Sequence, residues 1–130
     1  MKKRFLSMLM VMVIICAMAA STAQATTLPN SNATRAAVFL SSSLDKVSGT
    51  TYKMWAEASV PFSESLYVYV SIEKKVGSSY SFVDSASASG NTTRLKASKN
   101  ISLSAGEYRL YSYASGNTNT TSFYTYYTIK

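Results

Sequence analysis

The stretch ESLYVYVSIEKKVGSSYSFV, residues 64–83, decides the fold class. Leu66, Val68, Val70 and Ile72 fall at every second position, and Tyr67, Tyr69, Ser71 and Glu73 fill the places between them. Successive side chains of an extended strand point to opposite faces, so a period of two predicts a half-buried antiparallel strand with its aliphatic set inward. Gly77-Ser78-Ser79 then breaks the alternation with residues suited to a tight turn, and a short strand is expected around Tyr80–Asp84.

The same period runs outward in both directions. TTYKMWAEASV (50–60) places Tyr52, Met54, Ala56 and Ala58 on one face and Lys53, Trp55 and Glu57 on the other. A hairpin centred near Pro61–Ser63 would bring Trp55 opposite Tyr69. GEYRLYSYAS (106–115) sets Tyr108 and Leu110 inward with Tyr111 and Tyr113 outward. After a GNTN turn, TSFYTYYTIK (121–130) sets Phe123, Thr125, Tyr127 and Ile129 inward with Tyr124 and Tyr126 outward. RAAVFLSSSL (35–44) reads as a first edge strand. SASASGNTT (85–93) reads by composition as a loop, and TRLKASKNISLSAG (93–106) as two short pieces around Leu95 and Ala97, then Ile101 and Leu103. No helical stripe of useful length occurs. About seven short strands with turns roughly every ten residues predict an all-β fold, a small antiparallel β-sandwich of immunoglobulin-like kind. An open barrel is the alternative.

The N-terminus has a different character. MKKR is a short cationic segment, FLSMLMVMVIICAMAA is apolar and uncharged, and STAQA ends in the small-x-small triplet Ala23-Gln24-Ala25. This order of charge, apolar run and small residues predicts a cleavable secretory signal at residues 1–25. The apolar run is shorter than the ~20 residues of a spanning helix, which favours cleavage over a retained anchor. Cys16 lies inside that run behind Ile15, where lipoprotein processing would need a small residue, so it would leave with the signal. Residues 26–34 form a polar lead-in containing Pro29, and residues 35–130 form one domain. Loss of Lys2, Lys3 and Arg4 would lower the formal charge from +7 to +4. The secreted product would contain no cysteine, so burial rather than disulfides would hold it.

The elements TRAAVFLSSSL, LYVYVSIEKKVGSSYSFV and GEYRLYSYA together resemble a family of short, signal-bearing exported proteins of Gram-positive Firmicutes. The likeness lies in Arg35-Ala36, in Glu73 to Tyr80 and in Gly106 to Arg109. The entry reads Arg-Ala-Ala here, and Tyr80 stands where the family often has Trp. That family is of unknown function, so the resemblance implies export and a β fold and transfers no active site.

Composition closes off much chemistry. The 130 residues include no His, and Cys16 is the one Cys, so the common nucleophile-and-base pairs and the usual zinc ligands are missing from the secreted part. Asp45, Glu57, Glu64, Glu73, Asp84 and Glu107 are the carboxylates, and none sits in an apolar run that would raise its pKa. SSLDK (42–46) matches Ser-x-x-Lys by coincidence, and nothing around it supports a Ser-Lys pair. No glycine-rich phosphate loop or Asp-rich calcium loop is present. The expectation is a protein that is not an enzyme, with no cofactor and no metal. Export argues against nucleic acid as a partner, the dispersed Lys and Arg favour solubility over attraction to anionic wall polymers, and no second apolar run reaches membrane length.

All ten Tyr lie beyond residue 25. Trp55, Tyr67, Tyr69, Tyr111, Tyr113, Tyr124 and Tyr126 are the outward aromatic residues and the candidate ligand-binding face. Such rings can be cross-strand pairs that stabilise a sheet, or a platform for sugar rings or a partner's apolar surface. The function expected is an extracellular binding or adhesion module for envelope polysaccharide or a protein partner. A self-associating structural protein and a secreted antimicrobial or inhibitory effector are the alternatives.

Overall fold

The computed structural model describes residues 37–130. The expected signal (1–25), the lead-in (26–34) and the Arg35-Ala36 entry lie outside the described residues. Five antiparallel strands form one curled sheet: β1 (Phe39–Ser48), β2 (Thr51–Val76), β3 (Ser79–Ser102), β4 (Gly106–Ser115) and β5 (Thr120–Ile129). The order along the sheet is β1-β2-β4-β5, with β3 paired to β2.

Strand β2 does two jobs. Its first half, Thr51–Ser59, lies between β1 and the second half of β3. Its second half, from Glu64, lies between the first half of β3 and β4. The register passes from Ser59 opposite Arg94 to Glu64 opposite Thr92, so Val60, Pro61, Phe62 and Ser63 face Thr93 alone. Extra residues on one strand bend it and increase its twist, and a bulge tolerates a proline because no ladder N–H is needed there. The bend turns the aliphatic faces of the two halves toward each other. Met54, Ala56 and Ala58 of the first half share one buried cluster with Val68, Val70 and Ile72 of the second. Leu40 and Leu44 of β1, Ala97 and Ile101 of β3, Leu103 just after that strand, Tyr108, Leu110 and Ala114 of β4, and Ile129 of β5 complete it.

The two open sides of the curl are each bridged. On one, Lys99 Nζ meets Asp84 Oδ1 at 2.8 Å, linking the two halves of β3. The ammonium and the Ser85 N–H hold the Asp84 carboxyl below the usual carboxylate range. On the other, the Leu44 N–H of β1 donates to the Tyr127 hydroxyl of β5 at 3.1 Å. Burial pushes the Tyr127 phenol above its ordinary value. Where the chain crosses from β3 to β4, the buried Tyr108 donates its hydroxyl proton to the Ser104 carbonyl at 2.8 Å. A tyrosine tied to backbone a few residues upstream is the corner device of β-sandwich domains.

The facing of side chains follows the sequence alternation through β2, β4 and β5, while the element count does not. The expected seven short strands are five, because β2 and β3 run on where breaks were expected. Pro61–Ser63 is a bulge and not a hairpin, so Trp55 lies opposite Ser43 and Ser98 rather than Tyr69. Residues 85–93, expected as a loop, belong to β3. Their alternation is real but made of small residues: Ala86 and Ala88 pack against the core while Ser85, Ser87 and Ser89 lie across from Ser71, Tyr69 and Tyr67. Residues 93–102 likewise continue the same strand in one piece. Gly77-Ser78 is the two-residue loop of the β2–β3 hairpin, with Gly77 at φ 64°. Positive φ at its first residue alone is the type II′ pattern, which matches strand twist and wants glycine.

Candidate functional site: an outward tyrosine face

The outer surface of β3, β2, β4 and β5 is laid out by register. One row across it reads Tyr126, Arg109, Glu73 and Phe82; the next reads Tyr124, Tyr111, Ser71 and Ser85; a third reads Ser122, Tyr113, Tyr69 and Ser87. Tyr67, two residues from Tyr69 along β2 and so on the same side, lies opposite Ser115. Six of the seven aromatic residues singled out from the sequence therefore share one face.

Their rings touch both along diagonals and directly across. The diagonal pairs are Tyr67 and Tyr113, edge-to-face at 6.2 Å between centroids, and Tyr69 and Tyr111, tilted at 6.3 Å; Tyr111 and its direct partner Tyr124 are tilted at 4.9 Å. Such pairs each add about 0.2–1 kcal/mol to a sheet, so the face stabilises the fold whatever else it does. It also stays open to solvent. Tyr67, Tyr124 and Tyr126 are 39%, 46% and 64% exposed, whereas Tyr69, Tyr111 and Tyr113 are half-buried beneath them.

Two residues belong to the face that the sequence reading left out. Tyr80 sits opposite Lys75 and brings its ring to 6.4 Å from Tyr126. Phe82 sits opposite Glu73 and is 62% exposed. Counting the register back across the two-residue Gly77-Ser78 turn would have found both, since Tyr80 and Lys75 must share a side.

Electrostatics at the centre of the face are internally balanced. The Arg109 guanidinium is paired with the Glu73 carboxylate and lies 4.1 Å from the Tyr80 ring and 4.6 Å from the Tyr124 ring. The bond to Glu73 holds the guanidinium above its ordinary range. Lys75 Nζ meets Glu107 Oε2 at 2.7 Å, which raises its ammonium likewise. Each cation thus has its own carboxylate, and what the face offers a ligand is ring area and phenolic hydroxyls.

Trp55 is elsewhere. It lies on the outer surface of the first half of β2, flanked by Ser43 and Ser98. Its indole N–H donates to Asp45 Oδ2 at 2.7 Å, and Lys96 Nζ sits 4.2 Å above its ring. The Ser43 hydroxyl and the Trp55 N–H hold the Asp45 carboxyl below the usual carboxylate range. With one side covered by an ammonium and its edge engaged, Trp55 belongs to a local polar cluster and not to the tyrosine face. Among the described residues no group of three or more His, Cys, Asp or Glu is placed to hold a metal ion, and no helix is long and apolar enough to cross a membrane.

No protein-family model matches the sequence, and no curated protein matches it. Among solved structures the chain is similar to CsgH of R. palustris, at 13% identity and a TM-score of 0.49 over 68% of this chain and 90% of that one. It is also similar to wild-type OgpA of Akkermansia muciniphila, at 17% identity and a TM-score of 0.45, covering 71% of this chain and 27% of that one. A catalytically inactive OgpA in complex with an O-glycopeptide substrate gives 14% identity and a TM-score of 0.44, covering 72% and 29%. The chain thus spans under a third of OgpA. At these identities and scores the likenesses assign no activity.

Proposed function

We propose that the protein is an exported, non-enzymatic binding module whose tyrosine face takes an envelope polysaccharide. The observation that carries this reading is the gathering of Tyr67, Tyr69, Tyr111, Tyr113, Tyr124 and Tyr126 on one surface whose charges are paired among themselves. Sugar rings present flat C–H faces and many hydroxyls. Aromatic faces ringed by phenolic O–H groups suit both, since tyrosine offers an apolar body with a polar tip. Export follows the signal-like residues 1–25, and membership of the Firmicutes family follows the three sequence elements that resemble it. The fold fits the immunoglobulin-like sandwich if β2 and β3, each divided at the bulge, count as two strands apiece; that gives seven.

Co-sedimentation with isolated Gram-positive cell walls tests the reading. The protein should pellet with walls at both low and high salt, because ion pairs within the face leave little charge for salt to screen. Tyr124→Ala with Tyr126→Ala removes the two most exposed Tyr rings of the face and should weaken binding by about tenfold or more, or roughly 0.7 kcal/mol per ring. Binding lost with salt alone would assign the attraction to the dispersed Lys and Arg instead. No binding in either condition would remove the glycan reading and leave a protein partner.

A further inference from the structure

Among the described residues the sheet ends at β1, β3 and β5, and side-chain bonds tie Leu44 of β1 to Tyr127 of β5 and Lys99 to Asp84 within β3. Natural proteins blunt such edges with charge, proline or bulges, because a row of open N–H and C=O groups templates pairing with another chain. β1 carries Asp45 and Lys46 and a register shift near its end. β3 carries Asp84, Arg94, Lys96 and Lys99 and two register shifts. β5 has none of these devices. Its sequence TTSFYTYYTI contains no charge, proline or glycine, and its pairing with β4 runs unbroken from Thr120 to Ile129.

The bond from Gly116 N to the Asn119 carbonyl, 2.8 Å, fixes the alternation of that ladder. Antiparallel pairs alternate between bonded and unbonded. Thr121, Phe123, Thr125 and Tyr127 therefore bond to β4, while Ser122, Tyr124, Tyr126 and Thr128 turn their N–H and C=O groups to the open edge. We propose that β5 is the pairing edge of a homodimer, two copies aligning β5 antiparallel about a twofold axis at Thr125.

The sequence of β5 favours a second copy of this chain. Groups open at the edge must pair with groups open at the edge, so even-numbered residues face even-numbered residues. The register about Thr125 sets Tyr124 against Tyr126 of the second copy and Phe123 against Tyr127 of the second copy, with Thr125 against itself. Aromatic–aromatic and Thr–Thr pairs are the favourable cross-strand combinations. With no charge on the strand, no like charges meet within it, and Lys130 falls opposite Thr120. An isologous contact of this kind closes on itself and leaves no further β5 edge exposed. It would also join two tyrosine faces into one surface eight strands wide. The dimer goes beyond the proposed ligand and stands or falls without it.

Sedimentation equilibrium of protein purified from the full-length sequence, over about 1–100 µM, is the test. The wild type should sediment as a dimer. Ser122→Pro with Thr128→Pro removes two open N–H groups without touching a bond to β4, and should give a monomer with unchanged far-ultraviolet circular dichroism. Should those prolines unfold the chain, charge swaps decide. Ser122→Asp/Thr128→Asp and Ser122→Lys/Thr128→Lys should each be monomeric alone and dimeric when mixed, since the register sets residue 122 against residue 128. A wild type that stays monomeric across the range overturns the proposal. So does a dimer whose dissociation constant the edge changes leave within threefold, or a mixture that fails to re-form.

Discussion

Replacing Tyr127 by Phe removes one oxygen and should loosen the side of the sheet where β1 meets β5. The ring keeps its half-buried place beside the core, so the packing term changes little. What is lost is the acceptor for the Leu44 N–H, 3.1 Å away on an otherwise buried residue. A net hydrogen bond is worth about 0.5–1.5 kcal/mol, and a donor left without a partner costs about 1–3 kcal/mol. Leu44 lies on an edge strand that water can reach in part, so the expected loss is about 1–2 kcal/mol. For a domain of this size that lowers Tm by roughly 5–10 °C. Urea denaturation followed by circular dichroism measures it, with Tyr126→Phe as the control. That hydroxyl belongs to an outward, mostly exposed ring, so the change should stay within about 0.5 kcal/mol. The alkaline limb gives a second reading. Burial raises the Tyr127 phenol, so the folded protein keeps that proton to higher pH than the unfolded chain does. Its contribution is full below the unfolded value of about 10 and is lost as pH rises through the folded one. The wild type should therefore lose stability above about pH 10 more steeply than Tyr127→Phe. Equal effects of the two substitutions, at neutral and alkaline pH alike, would refute the bridging role of Tyr127.

Three further outcomes follow from particular contacts. Ile72→Ala empties a fully buried position in the cluster shared by both halves of β2 and should cost about 2–5 kcal/mol in the same denaturation assay. Acid should destabilise the protein through Asp45 and Asp84. Both carboxyls are held below their ordinary range in the fold, so their contribution is present above about pH 4 and lost as pH falls through the lower folded values. Titration of stability from pH 6 to 2 in Asp84→Asn should show a shallower acid decline than in the wild type. Trp55→Ala should lower stability through the lost Asp45 bond and Lys96 contact. It should leave cell-wall co-sedimentation unchanged, because the indole is outside the tyrosine face.

Which side chains point where was legible because strand facing depends only on a local period of two. Leu66 to Ile72, Tyr108 to Tyr113 and Phe123 to Ile129 all face as that period dictates. Where elements end was less legible. Ala86, Ala88, Ser85 and Ser87 alternate as cleanly as any strand, but small residues carry little hydrophobic contrast, so composition suggested a loop. Their strand state comes from pairing with β2, a contact between distant parts of the chain. Pro61 misled for a related reason. A proline that ends a strand and one that sits in a bulge look alike in sequence, and only the count of four residues against Thr93 distinguishes them. Trp55 was placed opposite Tyr69 on the strength of that hairpin and moved to another surface with it. The common facing of the six tyrosines was legible because each of their strands carries its own alternation.

Footprinting of tyrosines on wall-bound protein tests the central claim most directly. Acetylation of phenols by N-acetylimidazole, followed by mass spectrometry, reports which rings solvent reaches with and without walls. In free protein the exposed Tyr67, Tyr124 and Tyr126 should react and the buried Tyr108 should not. On walls, the three exposed rings should be protected together, while Tyr52, on the inward side of the first half of β2, keeps its reactivity. Full reactivity of Tyr67, Tyr124 and Tyr126 in protein that has sedimented with walls would contradict the assignment of this face as the binding surface.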